Sequence, residues 1–228
     1  MKLKKQLPGG IRLLLSTNSE VSFFCYNSPM KKILVVIIIL MGLFYLFKGR
    51  KPTIKNFPNN NQSVVAFGDS LTAGYGAPAG SSYPDVLAQK INRPVINLGV
   101  SGETAAQAPA RIQQVLREYP YMVLIEFGAN DFMRQQSRQA AVNAVSQIVD
   151  QVQDIGAIAV IVDTGGPGMG EYTKAYKQLA KEKGALFVPG IMKGIFYKTQ
   201  LKSDQVHPNA QGYAIVADKV HKVIKDYL

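Results

Sequence analysis

Val65-Ala66-Phe67-Gly68-Asp69-Ser70-Leu71-Thr72 is an apolar run that halts at a serine. Residues 63–67 are too few for a helix and lie between the polar Asn59-Asn60-Asn61-Gln62 and Gly68, so they read as a short buried strand. Ser70 then stands where that strand gives out. In an open parallel sheet this rim is where ligands collect, because strand ends and the loops that follow them enclose a crevice. A serine hydroxyl there is a poor nucleophile until a base takes its proton and donors stabilise the oxyanion that forms. Base and donors must come from elsewhere in the chain.

The sequence holds two histidines, and one, His207, lies in Ser203-Asp204-Gln205-Val206-His207-Pro208-Asn209. An Asp and a His three apart in a tight turn can face one side, so that Asp204 holds the imidazole tautomer while His207 accepts the Ser70 proton. Ordinary surface turns have the same spacing, and spacing alone does not choose between the two. Pro208 adds a constraint. The residue before a proline is pushed out of the helical region, which predicts an extended His207 just ahead of the last helix.

Two further patches match the donors. Asn97-Leu98-Gly99-Val100-Ser101-Gly102-Glu103-Thr104 follows a strand candidate at 94–97, and a glycine there lets a backbone N–H approach a ligand. Glu126-Phe127-Gly128-Ala129-Asn130-Asp131 closes the strongest strand candidate, 122–127, and would project the Asn130 amide at the same rim. Ser101 is a rival nucleophile, although Gly99-Val100-Ser101-Gly102 shares only part of the GxSxG elbow pattern.

In order, Gly68-Asp69-Ser70-Leu71, Gly102, Gly128-Ala129-Asn130-Asp131 and Asp204-Gln205-Val206-His207-Pro208 resemble the four blocks of the SGNH (GDSL-type) hydrolases. Asp69-Ser70-Leu71-Thr72-Ala73-Gly74-Tyr75, Ser101-Gly102-Glu103-Thr104 and the Asn130 block make the chain similar to the bacterial thioesterase I, arylesterase and lysophospholipase group. The similarity runs from Ser63 to the C-terminus. It implies that Ser70 is the nucleophile, His207 the general base and Asp204 its orienting carboxylate. The implied oxyanion hole comprises the backbone N–H groups of Ser70 and Gly102 and the side-chain amide of Asn130. The implied fold is an α/β, flavodoxin-like three-layer α/β/α sandwich with a parallel five-stranded sheet, and the implied chemistry is ester hydrolysis through an acyl-serine intermediate without a cofactor.

Between the blocks, strand and helix patterns alternate. Helices are expected at 82–91, 104–118, 135–155 and 172–183 and from about 209 onward, and further strands at 157–162 and 185–188. Val142, Val145, Ile148, Val149, Val152 and Ile155 recur at the spacing of one buried helical face. Alternation with continuous apolar strand cores predicts a parallel sheet covered on both sides. Gly165-Gly166-Pro167-Gly168-Met169-Gly170 lacks the ending of a phosphate loop and reads as a mobile rim loop beside the substrate. Asp69 and Asp131 read as braces for the loops that carry Ser70 and Asn130, and His221 as a solvated position in the last helix. With so few histidines and no cysteine in this region, nothing builds a transition-metal site.

The formal charge of +11 first suggests nucleic acid, but its distribution removes that suggestion. Residues 1–61 hold ten Lys or Arg and one acid, whereas the remainder holds 16 basic and 14 acidic residues. A near-neutral domain behind a basic leader suits a membrane-proximal tail. Residues 1–29 show no periodicity, carry the sole cysteine, Cys25, and form an irregular leader. Met30-Lys31-Lys32 followed by the apolar run 33–47 has the order of a signal-like n-region and h-region, so a natural start at Met30 is expected. Residues 30–48 thus read as a transmembrane anchor of the bacterial inner membrane, uncleaved because Lys48-Gly49-Arg50-Lys51 replaces a cleavage pattern. The run is shorter than the about 20 residues of an ordinary span. Residues 49–62 read as a linker and 63–228 as the catalytic domain, on the periplasmic side, or secreted should the anchor be cleaved.

Three functions follow. The first is a membrane-tethered serine esterase acting on lysophospholipids, acyl thioesters or aryl and short-chain esters, with Phe132, Met133 and Met169 as an apolar lining. The second is a carbohydrate O-acetyl esterase of envelope polysaccharide. The third is a non-catalytic binding protein that keeps the fold. Hydrolysis of p-nitrophenyl esters of graded length separates them.

Overall fold

The computed structural model describes residues 29–48 and 53–228. Residues 1–28 and 49–52, with Cys25 and part of the expected linker, lie outside the described residues. The chain forms two units, Met1–Lys51 and Pro52–Leu228.

In the first unit, helix α1 spans Pro29–Lys48. Its described apolar side chains, from Ile33 to Met41, are exposed. The transmembrane anchor expected over 30–48 is not found: among the described residues no helix is long and apolar enough to cross a membrane.

In the second unit five strands, β1 (Val64–Gly68), β2 (Val95–Gly99), β3 (Met122–Glu126), β4 (Ile158–Val162) and β5 (Leu186–Val188), form one sheet in the order β2-β1-β3-β4-β5. All four pairings are parallel. Since β1 has β2 on one side and β3 on the other, the chain reverses its winding direction there, and the crevice of a doubly wound sheet opens at the β1 and β3 exits.

Strands β1, β3 and β4 are buried at every position, as their unbroken apolar runs demand. Alternate residues feed two cores. Val65, Phe67, Val123, Ile125, Ala159 and Ile161 pack with helices α4 (Ile112–Leu116), α6 (Arg138–Asp154) and α7 (Gly170–Lys183). Val64, Ala66, Met122, Leu124, Ile158 and Val160 pack with α3 (Tyr83–Ile91) and α8 (Ala210–Ile224). The expected three layers and five parallel strands are therefore present, with strand ends displaced by one or two residues.

Two differences have local causes. The helix expected over 104–118 is a 3-10 turn, Ala108–Arg111, followed by the short α4. Pro109 lacks the N–H that a continuous α-helix needs and restricts the residue before it. Secondly, over 53–62 the expected linker is an ordered strap. Asn56 Nδ2 donates to the carbonyls of Gln153 and Ala157 at 2.8 and 2.9 Å, Asn59 Nδ2 to that of Tyr121 at 3.1 Å and Asn61 Nδ2 to that of Pro120 at 3.2 Å. These asparagines tie the strap to carbonyls near the strands' entry edge; those of Gln153 and Tyr121 also accept from Gly156 N and Ile158 N.

Candidate active site

Asp69 follows β1 and caps the one-turn helix α2 (Ser70–Ala73), its Oδ1 accepting from Leu71 N at 3.0 Å. This cap fixes Ser70 at the helix start, above the sheet. Across the crevice the 202–208 turn is closed by an antiparallel bridge between Lys202 and Pro208, and Asn209 then caps α8 through Gly212 N at 3.1 Å. His207 is thereby held ahead of the last helix, as Pro208 predicts. Its Nε2 lies 3.0 Å from Ser70 Oγ, and its Nδ1 lies 2.7 Å from Asp204 Oδ2. Asp204 Oδ1 accepts from the N–H groups of Val206 and His207, both at 2.8 Å. The Tyr75 ring backs the imidazole, with centroids 4.6 Å apart.

Asn130 sits in the short helix α5 (Ala129–Met133) at the β3 exit and is 7% exposed. Its Nδ2 donates to Asp69 Oδ2 at 3.1 Å and to Glu103 O at 2.9 Å. Ser70, Asn130 and His207 line one cavity of about 110 Å³. Its other walls include Ala129, Phe132, Met133, Met169, Met192 and Phe196, so the three residues read from sequence as a lining do line it. Gly102 is not among these walls. It stands at φ +81° on a neighbouring concavity with Ser101 and Glu103, where Arg134 Nη2 donates to its carbonyl at 2.8 Å. Gly166, Pro167 and Met169 put the glycine-rich segment beside the cavity, as expected of a rim loop. Asp131 braces the Gly102 loop by accepting from Ala105 N at 2.8 Å. His221 is half-buried within α8.

Sequence reasoning missed the layer beneath. Glu126, the last residue of β3, is fully buried; its Oε2 accepts from Thr72 Oγ1 at 3.1 Å and its Oε1 from Thr164 Oγ1 at 3.0 Å. Burial raises its pKa, partly offset by these bonds and by a contact with Asp69. Burial likewise pushes Asp69 well up, reinforced by the Glu126 charge. Arg111 was also missed. Its Nη1 donates to Leu98 O at 2.7 Å and its Nη2 to Gly68 O at 3.2 Å, while Nε holds both Glu103 oxygens at 2.8 and 2.9 Å. For Glu126 the visible signal was a charged residue closing an otherwise apolar strand. Among the described residues no group of His, Cys, Asp and Glu is arranged to hold a metal ion.

A doubly wound parallel sheet with a serine, an imidazole and a carboxylate aligned at its switch point defines an α/β hydrolytic enzyme. The GDSL-like lipase/acylhydrolase family model matches residues 66–215, and the chain belongs to that family. It is 30% identical over 173 residues to "Thioesterase 1/protease 1/lysophospholipase L1" of Escherichia coli K12, covering 72% of this chain and 83% of that one. It is 27% identical to an arylesterase of Vibrio mimicus, over 74% of this chain and 90% of the relative. Among solved structures it resembles the psychrotrophic esterase EstA of Pseudoalteromonas, in a form inhibited by monoethylphosphonate, with a TM-score of 0.66 and 26% identity over 73% of this chain and 98% of that one. The protein is an ester-hydrolysing enzyme.

Proposed function

We propose that Ser70 attacks the acyl carbon, His207 takes its proton and returns it to the leaving group, and Asp204 orients the ring. An acyl-serine forms and water then releases it by the same route. The observation that carries this reading is the unbroken line from Asp204 Oδ2 through His207 to Ser70 Oγ, at 2.7 and 3.0 Å, opening on one cavity. In this reading the N–H groups of Ser70 and Gly102 and the Asn130 amide stabilise the oxyanion. A single such donor is worth about 3 kcal/mol.

The substrate is an ester with a short acyl group. A cavity of about 150 Å³ takes a benzene ring, so one of about 110 Å³ accommodates roughly four carbons. Its walls are apolar, which favours an alkyl or aryl group over a sugar. On p-nitrophenyl esters of graded length, turnover should peak near butyrate and decline steeply at palmitate; a maximum at acetate with no gain at butyrate would favour carbohydrate deacetylation instead. Ser70→Ala should abolish turnover with the thermal midpoint retained. Because EstA is described as inhibited by a phosphonate, one equivalent of a p-nitrophenyl phosphonate should add to the wild type and none to Ser70→Ala.

The reading extends to location: α1 buries its exposed apolar side chains in a membrane and so tethers the enzyme to it. Support comes from the exposed apolar residues Ile33 to Met41 and from basic residues flanking the 33–47 run in the sequence. Full-length protein should stay with the membrane pellet after an alkaline carbonate wash, and its release would refute attachment.

A further inference from the structure

Asp69 and Glu126 are 1% and 0% exposed, and their side chains hydrogen-bond one another beneath the Ser70 turn. Every hydrogen-bond donor recorded on them is neutral: Leu71 N and Asn130 Nδ2 on Asp69, and the Thr72 and Thr164 hydroxyls on Glu126. Two buried carboxylates in contact, without a cation among their partners, are not both ionised at neutral pH.

We propose that Asp69 and Glu126 share one proton, carried on Asp69, and that this proton sets how tightly Asn130 is held. The inference rests on the reading of Asn130 as an oxyanion donor. Both hydrogens of its amide are already engaged, one by Asp69 and one by Glu103 O. An ionised Asp69 would grip that amide with a charge-assisted bond, roughly twice as strong as a neutral one. A neutral Asp69 donates its proton to Glu126 and accepts weakly, leaving the amide free to follow the oxygen as charge develops. Asp69 and Glu126 are thus positioning residues. The other titratable groups facing them are His207 across the crevice, Tyr83 and Tyr213 on α3 and α8, and Tyr176 on α7. Arg111, on Gly68 O, is occupied by Glu103.

The two isosteric amides separate this from simple packing. Asp69→Asn imitates the protonated acid in being neutral and donating to Glu126, its single carbonyl oxygen serving either Leu71 N or Asn130. It should keep kcat for p-nitrophenyl butyrate within about tenfold of wild type and lack any alkaline decline traceable to the pair. Glu126→Gln donates to Asp69 and leaves it charged; kcat should fall about a hundredfold at unchanged KM. Carboxyl-labelled wild type should show one protonated aspartate by carbon NMR at neutral pH, missing in both variants. Equal losses in the two variants, or an Asp69 signal that is ionised at neutral pH, would overturn the proposal. Should Asn130→Ala leave kcat unchanged, the oxyanion assignment fails, while the NMR signal still reports on the shared proton.

Discussion

The carboxylate of Asp204 accepts from two backbone N–H groups through one oxygen and faces the His207 ring with the other, so it shapes the turn and orients the base together. Slight burial raises its pKa, but the bonds from His207 N, Val206 N and the His207 ring outweigh this and hold it at about 2. A folded-state value below the ordinary one contributes stability above pH 3.8 that is lost as pH falls towards about 2. The difference in thermal midpoint between wild type and Asp204→Asn should therefore close across that window. The stability at stake should stay below about 1 kcal/mol because the group is solvent-screened. Turnover of Asp204→Asn should drop on the order of a thousandfold or more, through loss of the oriented tautomer. Asp69 and Glu126 have the opposite sign. Their raised values confer stability that is complete at low pH and lost as pH rises through the folded-state pKa. Heating scans at increasing pH should show wild type losing ground to Asp69→Asn, and parallel curves would contradict this.

Among the elements, the turn from β1 into α2 tolerates least change. A Cβ on Gly68 would lie 2.1 Å from Thr72 Oγ1 and 2.6 Å from the Glu126 carbonyl, and backbone does not retreat. Gly68→Ala should lower stability by about 3 kcal/mol or more, read as a lower thermal midpoint or insoluble protein. The capping box at Ser82 and Asp85 makes a milder test. Ser82→Ala should cost about 1 kcal/mol, or roughly 2–4 °C for a unit of this size. Strands were legible because both faces are buried and their residues run on without polar interruption. Helix α6 was legible because one stripe of it, Val145, Ile148, Val149 and Val152, reaches the core. The break at Pro109 was equally visible in the sequence and outweighs the apolar pattern around it. Helices α2 and α5 are too short for any periodicity to announce them.

At the scale of the whole molecule, the nucleophile, the base and Asn130 were legible because their types and order are set by chemistry that tolerates few substitutes. Glu126, Thr164 and Arg111 were not, since each acts only where loops far apart in the chain come together. The same holds for the strap, whose asparagines find their acceptors as many as 101 residues away. Asn56→Ala removes two donors to carbonyls. It should destabilise the catalytic unit by about 1–3 kcal/mol, measured by urea denaturation, while leaving kcat at 25 °C untouched. Residues 56–61 are pinned to the edge where strands enter the sheet, whereas Ser70, Asn130 and Thr164 stand where they leave it. A solid support coupled just ahead of residue 53 would hold the enzyme by its base, with its mouth open to the bulk solution, and immobilised preparations should hydrolyse esters as fast as the free form.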